Sequence, residues 1–288
     1  MKNLIAALIT LPLVGLQAQS TVNSFDDIRF WVGSGSKKSV VVLQWNDGKQ
    51  PSSLAWGFRW DGDRHGIQML TALAGTTIIR EPYGGPVVEM LSGADPRITL
   101  VLERFGFGDA IYSVVYNDNG VVRTAADWSS SFWQYSLFAG EFDYYTYNFA
   151  TEAFDGPFLY EQIGSTLYRD VQWFEAPIGA SDRMLVDESW DGWSFAPGFI
   201  SSPIQKPVAA TLPLPATTVG WLGSQPVIRW NSLSGVRYQV QYASAPGGPW
   251  QNVGDLRDGT GGIMEHIDAS SPRPPHRFYR IAVSQLVR

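Results

Sequence analysis

Short apolar runs separated by turns rich in glycine, aspartate and asparagine are the main pattern of this chain. Runs of this kind, with a period of two and bounded by turn residues, are typical of β-strands. One stretch, residues 67–73, instead has apolar residues at i, i+3 and i+6 and predicts a short helix. The chain therefore predicts a mainly β fold. The clearest strand patterns are residues 39–45, 54–60, 97–103, 110–116, 227–230, 238–242 and 277–283.

Two of these runs also predict how their strands are buried. Residues 39–45 are apolar almost throughout, which suits a strand covered on both faces. In residues 54–60 the rings of Trp56, Phe58 and Trp60 alternate with other residues. Because successive side chains of a strand point to opposite faces, we expect these three rings to share one face.

Aromatic residues are numerous and cysteine is absent: the chain has 12 Trp, 12 Tyr, 15 Phe and no Cys. Without cysteine it cannot contain a disulfide framework, a Cys-ligated metal site or a cysteine nucleophile. The formal net charge of −6 disfavours nucleic acid as a partner, because phosphate is recruited by clustered positive charge. The sequence also has no serine-hydrolase elbow, zinc-protease, phosphate-loop or dinucleotide motif. We therefore expect no cofactor, with calcium as a weak exception.

Residues 1–18 predict a signal peptide, with Lys2 at the positive end and an apolar run from Leu4 to Leu16. A membrane anchor is the alternative, but this run is shorter than the roughly 20 residues that cross a bilayer. With cleavage after Ala18, we expect a protein without a transmembrane anchor that is secreted, periplasmic or held at the cell surface.

A proline-rich stretch divides the chain. Pro203, Pro207, Pro213 and Pro215 lie among Ala, Thr and Leu with almost no charge, a composition typical of a semi-rigid spacer. The part before this stretch is acidic and the part after it is basic. The predicted parts are an aromatic-rich β domain at residues 19–202, a linker at 203–218 and a small β domain at 219–288.

Residues 219–288 resemble a fibronectin type III-like module. Trp230 stands where the second strand of that family ends, Tyr238 begins a Tyr-x-Val-x-Tyr third strand, and residues 279–283 fit its Tyr-Arg-hydrophobic-x-Val strand. The resemblance implies an immunoglobulin-like β-sandwich that serves as a spacer or adhesive module outside the cell. The module is short, and residues 256–271 are too rich in Gly, Asp and Ser to reveal its middle strands.

Residues 30–73 resemble a family of secreted bacterial proteins of uncharacterised function. The resemblance lies in Phe-Trp-Val-Gly-x-Gly at residues 30–35 and Trp-Gly-Phe-Arg-Trp-Asp-Gly at residues 56–62. It implies export but no activity. The order of strand, strand, short helix and further strands also resembles a β-grasp, an α+β alternative for this domain. Some β-grasp modules outside the cell bind corrinoids, so corrinoid capture is one alternative function.

Exposed aromatic rings are the predicted ligand contacts, because rings with a polar tip stack on sugars and other flat ligands. Residues 128–149 hold ten aromatic residues, too many for all of them to be core. Tyr144, Tyr145 and Tyr147 must point to both faces of any strand. The alternative is that large rings fill the core in place of disulfides. The predicted ligand-binding residues are Trp56, Trp60, Trp133, Tyr145, Trp190 and Trp193.

Acidic residues near two Trp-Asp-Gly sequences suggest two further sites. Asp61 and Asp63 match the first positions of a calcium loop, but the twelfth position, which needs a bidentate carboxylate, is Ala72. The alternative is an acidic turn at the start of a helix. The second Trp-Asp-Gly, at residues 190–192, predicts a turn like the first, and its Asp191 could pair with Asp61 as the two carboxylates of a hydrolase.

The sequence thus predicts a non-catalytic recognition protein of the bacterial exterior that binds a glycan or surface polymer through exposed aromatic residues. Three alternatives stay open: a structural or adhesive protein with no small ligand, corrinoid capture, and a carboxylate-dependent hydrolase. Exposed rings lining one concavity would favour binding, whereas full burial of the rings would favour the structural alternative.

Overall fold

The computed structural model describes residues 20–118, 120–126, 129–138, 142–148, 153–160, 173–176, 178–270 and 276–285, with 142–148 and 153–160 described as backbone only. The predicted signal peptide at residues 1–18 lies outside this part of the chain. The chain divides into two compact units, residues 19–213 and residues 214–288.

Most of the described secondary-structure elements of the N-terminal unit are strands. Its α-helix, α1, has eight residues, and no helix in the described ranges is long and apolar enough to cross a bilayer. The described elements are β1 (Trp31–Gly33), β2 (Lys37–Gln44), β3 (Ser53–Trp60), α1 (Gly66–Leu73), β4 (Ala74–Arg80), β5 (Val87–Leu91), β6 (Asp95–Phe105), β7 (Gly108–Asp118), β8 (Val121–Ala126), β9 (Ser131–Phe138), β10 (Phe142–Asn148), β11 (Ala153–Tyr160), β12 (Trp173–Glu175), β13 (Trp190–Pro197) and β14 (Val208–Ala209).

Seven of these strands form one mixed sheet in the order β1-β3-β2-β13-β9-β12, with β14 paired to the start of β3. β2 lies inside this sheet, antiparallel to β3 and parallel to β13. Its side chains are buried on both faces: Val41 and Leu43 belong to one core cluster, and Val40 and Val42 to another. The prediction of a doubly covered strand at residues 39–45 is therefore confirmed.

A second sheet, in the order β5-β4-β6-β7-β8, covers one face of the first. The larger core cluster lies between the two sheets. It joins Trp56 of β3 and Trp45, which follows β2, to Leu100 and Ile111 of the second sheet. Met69 of α1 packs into the same cluster. The structure thus confirms the mainly β prediction and the single predicted helix.

The C-terminal unit consists of two antiparallel sheets, β15-β16-β20 and a second sheet in which β17 pairs with β18, β19 and β21. Trp230 of the first sheet contacts Tyr238 of the second, with ring centroids 6.1 Å apart. The two sheets therefore face each other as in a β-sandwich, while the fibronectin type III-like assignment stays a prediction. The strands are β15 (Thr217–Leu222), β16 (Gln225–Asn231), β17 (Val236–Ala243), β18 (Gln251–Asn252), β19 (Arg257–Asp258), β20 (Ile263–Ile267) and β21 (Phe278–Gln285).

Much of the segment predicted as a linker belongs to the N-terminal unit. β14 pairs with β3, and Ile204, Ala209 and Ala210 are buried. The prolines exclude a regular helix, but the apolar side chains between them pack on the first sheet. The boundary between the units consequently lies after Pro213, and β15 begins at Thr217.

The second Trp-Asp-Gly sequence is part of a strand, so the predicted turn is wrong. Trp190, Asp191 and Gly192 begin β13, between β2 and β9. Ile204 packs closely over Gly192, because its Cδ1 atom lies 2.3 Å from the place where a β-carbon on Gly192 would stand. The first Trp-Asp-Gly does end a strand, since β3 stops at Trp60.

Candidate functional site

The tryptophans predicted to contact a ligand are core residues. Trp56 is fully buried, Trp60, Trp190 and Trp193 are 2% exposed, and Trp133 is 8% exposed. Rings buried this deeply present no face on which a sugar can stack. Their burial favours the alternative in which large rings fill the core.

Two of these tryptophans make specific contacts within the core. The Nε1 of Trp56 donates a hydrogen bond to Oδ2 of Asp95 at 3.1 Å. Trp193 stacks on Tyr135 with ring centroids 4.7 Å apart. Tyr145, the remaining predicted ligand contact, lies on β10, whose side chains are outside the described atoms.

The residues of the predicted calcium loop, Asp61 and Asp63, lie in the exposed segment after β3. Oδ1 of Asp61 accepts hydrogen bonds from the backbone N–H and the hydroxyl of Ser36, both at 2.9 Å. These two bonds lower the pKa of the exposed Asp61 carboxyl. Asp63 is exposed as well. Within the described ranges, no three His, Cys, Asp or Glu side chains are grouped as metal ligands.

Asp191 does not share a site with Asp61. The Asp191 carboxylate is fully buried and accepts hydrogen bonds from the hydroxyls of Tyr135 and Ser189, the latter at 3.0 Å. The Nε of Arg183 lies 3.7 Å from its Oδ1. Burial, together with the Asp191 charge, raises the pKa of Tyr135 well above its usual value. Because one carboxylate is enclosed and the other faces solvent, the two cannot act on one glycosidic bond.

Two other aromatic side chains lie at the surface, and both contact the half-buried Phe105. Tyr83 is 93% exposed and Phe107 is 73% exposed. The rings of Tyr83 and Phe105 meet edge to face with centroids 6.0 Å apart. The rings of Phe105 and Phe107 are nearly parallel, with centroids 5.0 Å apart. We call Tyr83, Phe105 and Phe107 the aromatic platform.

An exposed apolar strand follows Tyr83 closely in the chain. β5 is an edge strand of the second sheet, and Val87, Val88 and Met90 on it are all exposed. Clustered exposed apolar side chains are unusual on a protein surface and mark interaction sites.

The backbone of Tyr83 is held in an unfavourable conformation. Its φ of 59° and ψ of 36° lie in the left-handed region, which is uncommon for any residue except glycine. Oε2 of Glu103 accepts the backbone N–H of Tyr83 at 3.1 Å, and Oε1 accepts that of Gly84 at 3.1 Å. Glu103 is 1% exposed and is paired with Arg80 at 2.8 Å. Such conformations persist only where the surroundings fix them, and they cluster at binding sites.

An open groove of about 430 Å³ adjoins the platform. It lies between the start of α1 and the turn that joins β6 to β7, and Phe105 lines it as well as belonging to the platform. Its volume is within the ~300–1,000 Å³ typical of sites for small ligands. The polar residues of its lining are His65, Gln68, Arg104, Asp109 and Ser181.

The groove has an ordered charged rim. Arg104 donates two hydrogen bonds to Asp109, at 2.8 and 3.0 Å, and one to Glu89 at 3.1 Å. These carboxylates raise the pKa of Arg104 above its usual value. Ser181 Oγ accepts the backbone N–H of Asp109 at 2.9 Å. Gly108 permits this contact, because a β-carbon there would stand 2.6 Å from Cβ of Ser181.

His65, Ser181 and Asp109 line the same groove but are not bonded as a catalytic triad. In a triad the carboxylate binds Nδ1 of the histidine. Here the Asp109 carboxylate binds Arg104, and Nδ1 of His65 has no hydrogen-bond partner among the described residues. The groove thus offers polar groups beside an aromatic wall, an arrangement suited to binding.

Strand patterns could not reveal the platform, because Tyr83 and Phe107 lie in turns and Phe105 is the last residue of β6. Tyr83 stands within Pro-Tyr-Gly-Gly-Pro and Phe107 within Gly-Phe-Gly. Connecting segments run over the surface of a protein. An aromatic residue flanked by glycine and proline is therefore the sequence feature that could have predicted this site, whereas the tryptophans within strands became core.

Comparison with known proteins does not assign the chain. No protein-family model matches it, and no curated protein matches it. The function must therefore be inferred from the site.

Proposed function

We propose that this protein is exported and recognises a glycan or other surface polymer, without catalysing a reaction, through the aromatic platform of Tyr83, Phe105 and Phe107. The observation that supports this most strongly is Tyr83, whose ring is almost wholly exposed while its strained backbone is fixed by the buried Glu103. A tyrosine without a surface role has no need of this arrangement.

The platform suits an extended ligand. Its rings contact one another with centroids 6.0 and 5.0 Å apart, so together they offer more apolar surface than one ring does. Sugar rings carry apolar faces that pack on aromatic rings, and their hydroxyls need polar partners nearby. The groove beside Phe105 supplies such partners in Arg104 and Asp109.

The remaining parts of the chain fit the same proposal. The predicted signal peptide would export the protein, and the C-terminal unit, which resembles a fibronectin type III-like module, would act as a spacer. A structural or adhesive protein with no small ligand is the second candidate. The burial of the five predicted tryptophans favours it, because those rings stabilise the fold.

Substituting the platform residues tests the proposal. In isothermal titration or a glycan array, we expect Tyr83→Ala and Phe107→Ala each to weaken binding by about tenfold, since each removes one aromatic contact and its apolar area. Trp221→Ala, which removes an exposed ring of the C-terminal unit, is the matched control and should leave binding unchanged. Equal effects of all three substitutions, or a wild-type protein that binds no glycan, would refute the proposal.

A further inference from the structure

We propose that the groove beside the aromatic platform selects uncharged or amine-bearing sugar units and rejects acidic ones. This inference rests on the proposed function and specifies which polymer the same site accepts. It depends on the charges that surround the groove and on how those charges are already paired.

Negative charge exceeds positive charge around the platform and groove, among the described side chains. Arg104 is the positive group of the groove rim, and two carboxylates, Asp109 and Glu89, already bind it. Arg80 and Glu103 cancel each other beneath Tyr83. The other charged residues next to these segments include Glu81, which precedes the Tyr83 turn, Asp182, which follows Ser181, and Asp63 with Arg64, which precede His65 and have opposite signs.

An acidic sugar would be repelled at this rim. Its carboxylate would need Arg104 as a partner, yet Arg104 is neutralised, and the carboxylates of Asp109 and Glu89 would lie nearby. Like charges in contact oppose binding, and such repulsion is a common source of specificity. A uronic-acid or sulfated polymer is therefore disfavoured.

Sugar hydroxyls, in contrast, can use every group of the rim. A hydroxyl both donates and accepts, so it can donate to a carboxylate oxygen of Asp109 or Glu89 and accept from the guanidinium of Arg104. Arg104 and Glu89 are 45% and 42% exposed, so both can reach a ligand. An ammonium group on the sugar would gain further from the excess carboxylates. Gln68 adds a donor, because its Oε1 already accepts the backbone N–H of His65 at 2.9 Å and its amide nitrogen can only donate.

The test compares sugar hexamers of equal length with different charge: cellohexaose, a chitosan hexamer and a galacturonic acid hexamer. By isothermal titration at low salt, we expect the wild-type chain to bind the galacturonic acid hexamer at least about tenfold more weakly than the other two. The difference should shrink as salt rises, because exposed charges are screened within about 10 Å at 0.1 M.

A double substitution at the rim should remove the preference against the acidic hexamer. Glu89→Gln with Asp109→Asn frees Arg104 and keeps a side-chain carbonyl oxygen at both positions, so we expect affinity for the galacturonic acid hexamer to rise about tenfold relative to affinity for cellohexaose. The matched control, Asp258→Asn with Glu265→Gln, removes the same number of carboxylates from exposed pairs with Arg237 and Arg229 in the C-terminal unit. It should leave the preference unchanged.

The outcomes separate this inference from the proposed function. Platform-dependent binding with no preference against the acidic hexamer, or an equal gain in the control, would overturn the inference alone. Binding of none of the hexamers would overturn the proposed function and the inference together. If the double substitution disturbs the turn between β6 and β7, Glu89→Gln alone must still give a smaller gain in the same direction.

Discussion

Tyr83 adopts a backbone conformation that destabilises the fold. A residue with a β-carbon pays roughly 1–2 kcal/mol in the left-handed region, whereas glycine occupies it freely. Gly84 follows directly in the chain, yet the residue at the position with a φ of 59° is tyrosine and not glycine. The ring of Tyr83 is therefore retained at the expense of stability, as is typical of residues kept for binding.

Replacing this residue should separate stability from binding. We expect Tyr83→Gly to raise the free energy of unfolding by about 0.5–1 kcal/mol, part of the relieved strain being offset by the greater freedom of glycine in the unfolded chain. Tyr83→Ala keeps the strain and should change stability by less than about 0.5 kcal/mol. Both should lose the aromatic contact with the ligand. Urea unfolding followed by circular dichroism measures the difference, and a Tyr83→Gly chain less stable than Tyr83→Ala would contradict this account.

Sequence patterns predicted the strands whose apolar residues are continuous, as in β2, or alternate, as in β3. β2 is filled with apolar residues because both of its faces are covered, and β3 alternates its rings toward one core. β4 follows α1 without a turn residue, so its start could not be located. β5 carries exposed apolar side chains, contrary to the usual rule. β13 begins with Trp-Asp-Gly, a sequence typical of a turn, and only the structure shows Ile204 packed against its glycine.

The close approach of β1 to β3 predicts the effect of a substitution at Gly57. Gly57 of β3 lies opposite Trp31 of β1, and a β-carbon on Gly57 would stand 2.1 Å from Cε3 of that indole. We expect Gly57→Ala to displace Trp31 and to lower stability by about 1–3 kcal/mol, as overpacking does. Thermal unfolding should show a midpoint lower by several degrees. Gly179→Ala, where a β-carbon would meet nothing within 4 Å, is the control, and equal shifts in the two variants would contradict the packing argument.

The C-terminal unit contains a buried ionic cluster around Asp268, which sequence patterns did not indicate. Asp268 is fully buried, and its carboxylate accepts hydrogen bonds from the hydroxyls of Tyr279 and Ser270, both at 2.6 Å, and from Arg277. Burial raises the pKa of Asp268, but these hydrogen bonds outweigh burial and hold it at about 2. The residues lie on different segments of the unit, so only the fold brings them together.

This cluster predicts a loss of stability in acid. An unfolded aspartate titrates near pH 4, so the contribution of Asp268 is complete above that pH and disappears as the pH falls toward 2. This contribution of Asp268 to the free energy of unfolding amounts to about 2 kcal/mol. Asp268→Asn should be less stable than wild type at pH 6, because Arg277 loses its partner, and the difference should narrow between pH 4 and pH 2. Calorimetry across this range measures it. Asp258→Asn, at an exposed pair, should follow the wild-type curve, and a constant difference between wild type and Asp268→Asn would count against the cluster.

The platform of Tyr83, Phe105 and Phe107 contains no indole, while seven tryptophans of the same unit are buried in the core. Emission from these seven rings will report on folding and will not change when a ligand binds to the platform. A chain that binds a ligand there is therefore expected to show little change in the emission of its buried tryptophans. Phe107→Trp would place a solvent-facing chromophore on the platform, where stacking by a sugar should shift its emission to shorter wavelength.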